Sequence, residues 1–261
     1  MTLPRATVRR VTDTATVVLA PNPGPMTLDG TNTWVLRAPG AQSCIVVDPG
    51  PLVEEHLVLV ATQGPVAVVL LTHGHVDHSA GAGRLAELTG AGVRALDPAL
   101  RLGGQGLGEG EVVAAAGLEL RVMATPGHSS DSLSFVLAGD SGDSAVLTGD
   151  TILGRGSTVV AHPDGVLGDY LTSLQRLRAL GGLTVLPGHG PELPSAGTVA
   201  EHYLRHRATR LEQVRAALAA GAATPQQVVE AVYADVDRAL WPAATLSVLA
   251  QLDYLAGQGL S

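Results

Sequence analysis

Lysine is absent from the sequence, which also has a single cysteine, few aromatic residues and no long apolar run. The lone Cys44 excludes an intramolecular disulfide and a zinc ribbon built on several cysteines. The longest apolar stretch, 65–71, is far shorter than the roughly 20 residues that a membrane-spanning helix needs. Arg9 and Arg10 precede no apolar segment of the kind found in export signals. We therefore expect a cytoplasmic protein with no membrane attachment.

All 16 residues counted as Lys or Arg are arginines, and 24 acidic residues bring the formal charge to −8. A charge of this sign excludes a protein that coats nucleic acid through a uniformly basic surface. The length of 261 residues allows one large domain or a main domain with a small appendage. The hydrophobic fraction of 46% is too high for a chain that is disordered throughout. The nine histidines are then the most informative residues.

Short β-branched runs alternate with helix-like stretches through the first three-quarters of the chain. Predicted strands cover 16–19, 33–37, 44–47, 67–71, 118–124, 133–137, 145–147 and 184–186, and predicted helices cover 52–61, 79–89 and 167–180. This mixture indicates an α/β fold in which two sheets lie between helices. From residue 199 the pattern is helical, with helices over 199–219 and 243–255 and a third that Thr224 caps and Pro225 begins. We expect one domain over 1–199 and a small helical appendage over 200–261.

Segment 73–78 follows an apolar strand and reads H-x-H-x-D-H. In an extended loop His73 and His75 point the same way, so both imidazoles can reach one metal ion at ~2.0–2.1 Å. Asp77 and His78 lie where the chain turns into a helix and can face a second ion. Asp77 on its own is more typical of a helix N-cap. The four residues together indicate a metal site.

Three further polar residues each follow a predicted strand and a glycine, and these are His128, Asp150 and His189. Glycine at a strand end lets the backbone approach a ligand closely, so the repeated arrangement predicts loops that converge on one edge. Each of the three residues alone is more typical of an ordinary loop. Together with segment 73–78 they indicate one metal centre.

The whole pattern resembles the metallo-β-lactamase superfamily over about residues 15–195. The resemblance implies a four-layer αβ/βα sandwich with two zinc ions at one edge. The ligands that it implies are His73, His75 and His128 for the first ion, Asp77, His78 and His189 for the second, and Asp150 as the bridge. Asp48, in the matching run 46–50, is implied to support a metal-binding imidazole. A turn before Pro-Gly is the alternative explanation for this residue.

The resemblance also implies a chemistry, in which two zinc ions activate a water as hydroxide for hydrolysis. Other divalent metals fit the same ligands, and Asp77 is a candidate for relaying a proton. Asp150 stands where drug-opening β-lactamases usually have cysteine, which argues against that activity. The lack of lysine argues against hydrolysis of glutathione thioesters, as in the glyoxalase II branch.

Segments 151–158, 168–174 and 203–213 resemble the branch of β-lactamase-like protein 2. That branch includes an endoribonuclease for single-stranded RNA and carries a small, winged-helix-like C-terminal domain. Residues 201–215 have four arginines and two glutamates, a local charge of 4 − 2 = +2, which suits phosphate contacts. Tyr203, His206 and Arg207 are the expected substrate-binding residues, although an ordinary solvated helix face with Tyr203 packed on the core fits the same pattern.

We expect a metal-dependent hydrolase that cleaves short single-stranded RNA, with no obligate protein partner. An ester or thioester hydrolase, similar to the acyl-carrier thioesterases or to glyoxalase II, is the alternative within enzymes. A nucleic-acid-binding module on an inherited fold is the alternative without catalysis. An apolar channel beside the metals would favour the thioester, and an arginine-lined groove would favour RNA.

Overall fold

The computed structural model describes residues 6–139 and 143–258, and its strands form two mixed sheets. The first sheet has the order β1 (Thr7–Arg10), β2 (Ala15–Leu19), β3 (Asn32–Leu36), β4 (Cys44–Val47), β5 (Val66–Leu70), β6 (Val93–Arg94). The second has the order β11 (Thr184–Pro187), β10 (Ala145–Gly149), β9 (Leu133–Leu137), β8 (Leu118–Ala124), β7 (Val112–Ala115). Strands β4, β5 and β6 pair in parallel, as do β10 and β11, whereas the remaining pairs are antiparallel.

The helices lie on the outer faces of the two sheets. They are α1 (Glu54–Ala61), α2 (Val76–Ser79), α3 (Ala82–Thr89), α4 (Leu167–Arg178), α5 (Ala196–Ala219), α6 (Pro225–Val232) and α7 (Trp241–Gly257). Apolar residues of α1 and α3 pack on the first sheet, and those of α4 to α7 pack on the second. No helix within the described ranges combines the length and apolarity that crossing a bilayer requires.

Strand β4 shows why this sequence forms a sandwich. All four of its residues are buried, because its two faces meet two different apolar layers. Ile45 and Val47 face the second sheet, where Phe135 and Leu147 are fully buried. Cys44 and Val46 face α1 and α3. Each such fully buried side chain stabilises the fold by about 1.5–3 kcal/mol, and the predicted four-layer arrangement is confirmed.

The structure differs from the predicted strands and helices at places where contacts between distant segments determine the local conformation. Strands β1, β6 and β7 were not predicted, since β1 is an exposed edge strand without apolar alternation and β6 has two residues. The predicted helix 79–89 is split into α2 and α3. Gly81 lies between them, where a side chain would meet Leu57 at 2.6 Å and the Gly50 carbonyl oxygen at 3.0 Å. Asp77 is not a helix N-cap, because His75 occupies that position of α2.

The described chain after β11 has helices joined by loops, and these helices share their core with α4. Ser195 caps α5 by accepting a hydrogen bond from the Thr198 amide. Thr224 and Gln227 form a capping box on α6 with Pro225 at its start, which confirms the predicted cap. The boundary predicted at 199/200 falls inside α5 and stays a prediction. Residues 1–5 and 259–261 of the two predicted domains lie outside the described residues.

Candidate metal centre

Loops from five strands bring the predicted metal-ligating residues together at one edge of the sandwich. Asp48 follows β4, segment 73–78 follows β5, and His128, Asp150 and His189 follow β8, β10 and β11. These strands run in the same direction within their sheets, so their carboxyl ends meet at one edge. Residues up to 141 positions apart, from 48 to 189, therefore contribute to one site.

Three imidazoles converge in the first part of the site. His75 Nδ1 lies 3.1 Å from His73 Nε2 and 3.0 Å from His128 Nε2. His128 Nδ1 donates to the Val159 carbonyl at 2.7 Å, which leaves the Nε2 lone pair facing the other two rings. Ligands at 2.0–2.1 Å from a tetrahedral zinc are roughly 3.3–3.4 Å from each other. Three nitrogens at these separations match the spacing of ligands around one cation.

Asp77, His78 and His189 form the second part of the site. His78 Nε2 and His189 Nε2 are 3.2 Å apart, and Asp77 Oδ2 is 3.2 Å from His189 Nε2 and 3.5 Å from His78 Nε2. His189 Nδ1 donates to the Gly30 carbonyl at 3.1 Å, so its Nε2 points into the site. Two imidazoles and a carboxylate at these distances are a second donor set for a cation.

The carboxylate of Asp150 lies between the two donor sets. Its Oδ1 is 3.4 Å from His78 Nε2, and its Oδ2 is 3.4 Å from His189 Nε2 and 3.8 Å from His128 Nε2. Oδ1 is buried without a hydrogen-bond partner among residues 6–139 and 143–258. A buried carboxylate oxygen without a partner is costly unless a cation compensates it. The residues present therefore fit a divalent metal site.

Asp48 orients the imidazoles of His73 and His78 through their Nδ1 atoms, on the side away from the donor sets. Its Oδ1 accepts from the Thr72 amide at 2.8 Å, and its Oδ2 accepts from the Thr72 hydroxyl at 2.7 Å and from His78 Nδ1 at 2.9 Å. Because the Thr72 hydroxyl donates to Asp48, it accepts from His73 Nδ1 at 3.0 Å. Both imidazoles are thus held with Nε2 toward the centre. Asp48 is 1% exposed and has φ +52°, a strained conformation that Asp tolerates better than most residues.

The pKa values of the site residues follow from burial and from these contacts. Burial, together with the neighbouring His78, lowers the pKa of His73 well below its usual value, which keeps this imidazole neutral as a metal ligand must be. Burial alone would lower the pKa of His189, but the Asp150 carboxylate outweighs it and raises the pKa to about 9. Burial alone would raise the pKa of Asp150, but His189 and His78 outweigh it and hold the pKa well below its usual value. The Asp150 carboxyl group is therefore ionised.

The comparisons with known proteins agree with this geometry. The family model described as "Metallo-beta-lactamase superfamily" matches residues 26–189. The chain belongs to the metallo-beta-lactamase superfamily. A second model, "Beta-lactamase associated winged helix domain", matches residues 224–260, so the expected winged-helix-like C-terminal part of this superfamily member is confirmed. Its described residues in that range, 224–258, contain helices and no strand.

Named relatives within the superfamily cover most of the chain. A beta-lactamase-like protein 2 homolog of Caenorhabditis elegans is 32% identical, with 97% of this chain and 88% of the relative covered. An atrochrysone carboxyl ACP thioesterase of Aspergillus fumigatus is 33% identical, with 83% of this chain and 72% of the relative covered. The crystal structure of a beta-lactamase domain protein from Burkholderia ambifaria is 25% identical, with a TM-score of 0.81, 99% of this chain and 90% of that chain covered. The superfamily and its thioesterase and lactamase-like members identify this protein as a metal-dependent hydrolase rather than a non-catalytic binding module.

The three predicted substrate-binding residues lie on α5, close to the metal centre of this metallo-beta-lactamase fold. His206 and Arg207 line a cavity of about 300 Å³ that also reaches His128 and Asp150. Tyr203 is not among the described residues that line this cavity. Its hydroxyl accepts from the Leu153 amide at 3.1 Å and donates to the Leu153 carbonyl at 3.2 Å, so it holds the chain after Asp150 in place.

Sequence reasoning missed the residues that support the ligands. Thr72 precedes His73, and its hydroxyl links His73 to Asp48. The only sequence signal for this role was a hydroxyl residue next to a metal-binding motif. The Val159 and Gly30 carbonyls hold His128 and His189, and backbone groups leave no signal in the sequence. The support for the ligands therefore depends on which loops meet in space.

Gly188 sets how closely β11 approaches the ligands. A Cβ at this position would lie 2.5 Å from Asp150 Oδ1 and 2.7 Å from His78 Cε1. We expect Gly188→Ala to displace both ligands, lower bound metal per chain by half or more, and reduce kcat/KM about 100-fold, since a displacement of about 1 Å has effects of that size. Elemental analysis by mass spectrometry and steady-state kinetics measure these quantities.

Gly182→Ala is the matched control, because a Cβ there meets nothing within 4 Å. We expect it to keep the metal content and the activity of the unmodified protein. A Gly188→Ala protein that keeps full metal content would contradict the close approach described here.

Proposed function

We propose that this protein is an ester or thioester hydrolase whose centre holds two divalent cations, with zinc as the metal. The residues proposed to hold them are His73, His75 and His128 for one cation, Asp77, His78 and His189 for the other, and Asp150 between the two. Support comes from the two separate donor sets and from the preference of zinc for imidazole and carboxylate. Asp77 is one-quarter exposed and is also proposed to pass a proton between the site and solvent.

When bound, the two cations would lower the pKa of a water molecule toward neutrality and polarise the scissile carbonyl. The residues of the chain orient the ligands for this reaction. Asp48 holds His78 directly and His73 through Thr72, and the Val159 carbonyl holds His128. These hydrogen bonds keep each imidazole in the tautomer that offers its Nε2 lone pair.

The cavity beside His128 and Asp150 is the observation that carries the choice of substrate. Its walls are mostly apolar, and they come from the loop before β3, the chain after β10 and the C-terminal helices. The apolar side chains that line it are Pro25, Met26, Leu28, Leu153, Val159, Val236, Leu240, Ala243 and Ala244. A cavity of about 300 Å³ with such walls has the size and character of a pocket for a small acyl group.

Cleavage of single-stranded RNA remains the second candidate, because the same cavity contains arginines. An RNA strand needs a positively charged groove along its backbone and aromatic surfaces for its bases. Here Arg155 is paired with Asp29, and Arg210 donates to the Val232 carbonyl and to Gln213. These two guanidinium groups are already engaged within the chain, and the remaining one, Arg207, is a single charge rather than a track for a phosphate backbone, so the cavity favours the thioester over the RNA.

A panel of substrates tests the proposed function. The zinc-loaded protein is assayed with an N-acetylcysteamine acyl thioester, a p-nitrophenyl ester and a single-stranded RNA oligomer. We expect kcat/KM for the thioester to exceed that for RNA cleavage by at least 100-fold, because the cavity accepts an acyl chain and offers no track for phosphates. RNA cleavage with no thioester turnover would overturn the proposal in favour of the second candidate.

The cytoplasm is the proposed compartment of this protein. Cys44 is a buried free thiol, and the fold uses no disulfide in its described residues. Free thiols are ordinary in a reducing compartment. All of the proposed ligands come from one chain, so the proposed reaction requires no protein partner.

A further inference from the structure

The cavity beside the metal centre has a charge opposite to that of the protein as a whole. Three arginines and two histidines line it, and these are Arg155, Arg207, Arg210, His128 and His206. Asp150, a proposed metal ligand, is the one acidic residue among its described lining residues. The entire chain has a formal charge of −8, so this local excess of arginine is a specific feature of the cavity.

Among the three arginines that line this cavity, Arg207 is the one whose charge has no carboxylate partner among the described residues. Its residue is 2% exposed, and no carboxylate within the described ranges lies within 4.0 Å of it. Its Nη2 donates to the Thr158 carbonyl, and its guanidinium stacks 5.0 Å from the centre of the Tyr170 ring. Its Nε is buried with no hydrogen-bond partner in the described structure. A buried cation with unused donors is unfavourable unless an anion joins it.

The other two arginines of the cavity differ from Arg207 in this respect. Arg155 is 49% exposed in its side chain and makes two hydrogen bonds with the carboxylate of Asp29. Arg210 lies 4.0 Å from a carboxylate oxygen of Asp235, and its guanidinium is 4.7 Å from the Tyr233 ring centre. Both of these arginines have a carboxylate within 4.0 Å, and Arg207 has none in the described part of the chain.

A second cavity reaches the metal centre from the side of His75 and has the reverse character. It has a volume of about 460 Å³, and its described lining includes Asp97, Asp131 and Asp164 and no arginine. An anionic group is repelled there and attracted in the cavity of Arg207. The two cavities therefore distinguish the two ends of a substrate that lies across the centre.

We propose that Arg207 binds a carboxylate on the acyl part of the substrate, so that this hydrolase acts on the thioesters or esters of dicarboxylic acids. This inference rests on the proposed function. Because Nη2 is engaged with Thr158 and Nε is occluded, Nη1 is the nitrogen left to donate to a carboxylate, whose single charge balances the single unpaired charge of Arg207. The acyl chain then lies along the apolar wall, with its thioester carbonyl at the centre and its leaving group toward the acidic cavity.

A pair of substrates tests this subsite. The N-acetylcysteamine thioesters of adipic and hexanoic acid have the same acyl length and differ in the terminal carboxylate. We expect the zinc-loaded protein to prefer the adipoyl substrate in kcat/KM by about 10- to 100-fold, the range for a hydrogen bond to a charged group. We expect Arg207→Met to bring that preference close to 1, and Arg207→Lys to restore part of it.

Arg155→Met is the matched control, because it removes a cavity arginine whose charge Asp29 already balances, and it should keep the preference. Equal losses for both substrates in Arg207→Met, with lower metal content, would assign Arg207 to holding Thr158 in place and overturn the subsite. Equal rates for both substrates in the unmodified protein would overturn the subsite and leave the proposed function intact. Calorimetry with adipate and hexanoate measures the same preference without turnover, so failure of hydrolysis is distinguished from failure of the subsite.

Discussion

The double variant His73→Ala/His75→Ala is expected to lose bound metal and hydrolytic activity together. These residues supply two of the three nitrogens that converge within about 3 Å in the first donor set, and His128 alone cannot hold a cation in a closed site. We expect metal content near zero in that set and a fall in kcat/KM of at least about 10³-fold, which corresponds to roughly 4 kcal/mol of activation free energy. Elemental analysis and kinetics on the same sample measure the two effects.

His202→Ala is the control for this double variant, because His202 lies on α5 outside both donor sets. It should keep the metal content of the unmodified protein. Circular dichroism of the double variant shows whether it is folded. A folded double variant that still contains two metal ions per chain would refute the assignment of these ligands.

Asp48→Asn is expected to weaken metal binding about 10- to 100-fold, the range for residues that orient metal ligands. Asn tolerates the positive φ of this position, so the substitution tests the charge and the acceptor atoms rather than the backbone. Its amide group offers N–H where Thr72 or His78 needs an acceptor. We also expect the free energy of unfolding to fall by about 3–5 kcal/mol, as when one partner of a buried charged pair is removed.

Competition with a chelator measures the metal affinity of the Asp48→Asn protein, and urea unfolding of the metal-free protein measures its stability. Thr72→Ser is the matched control, since serine keeps the hydroxyl that joins Asp48 to His73. We expect the control to bind metal as the unmodified protein does. Unchanged affinity in Asp48→Asn would show that the imidazoles are held without this carboxylate.

The convergence of the proposed ligands at one edge could be predicted because these residues follow a local rule. Each of His128, Asp150 and His189 directly follows a glycine at or shortly after a strand end, and the carboxyl ends of like-directed strands meet at one edge. The four layers followed from continuous apolar strands such as β4, which are typical of sheets that are covered on both faces. These features depend on residues that are close together in the sequence, so they can be predicted from the sequence alone.

The features that could not be predicted depend on contacts between distant segments. The break between α2 and α3 arises from the close approach of Gly50 to Gly81. The sequence shows Arg207 as one of several arginines on α5, and its burial over Tyr170 depends on how α5 packs against α4. The same packing directs the Tyr203 hydroxyl to Leu153. In each case the sequence shows which side chain is present, but it does not show which distant residues that side chain contacts.

Three residues of the C-terminal helices hold the segment that follows Asp150. Tyr203 bonds to Leu153, Arg207 to the Thr158 carbonyl, and the Ser247 hydroxyl accepts from the Val160 amide at 3.4 Å. During synthesis on the ribosome all of the proposed ligands emerge before these helices do. The segment that carries the Val159 carbonyl, and with it the orientation of His128, is therefore completed only after α7 has formed. The centre therefore reaches its final shape only with helices that contribute none of the proposed ligands.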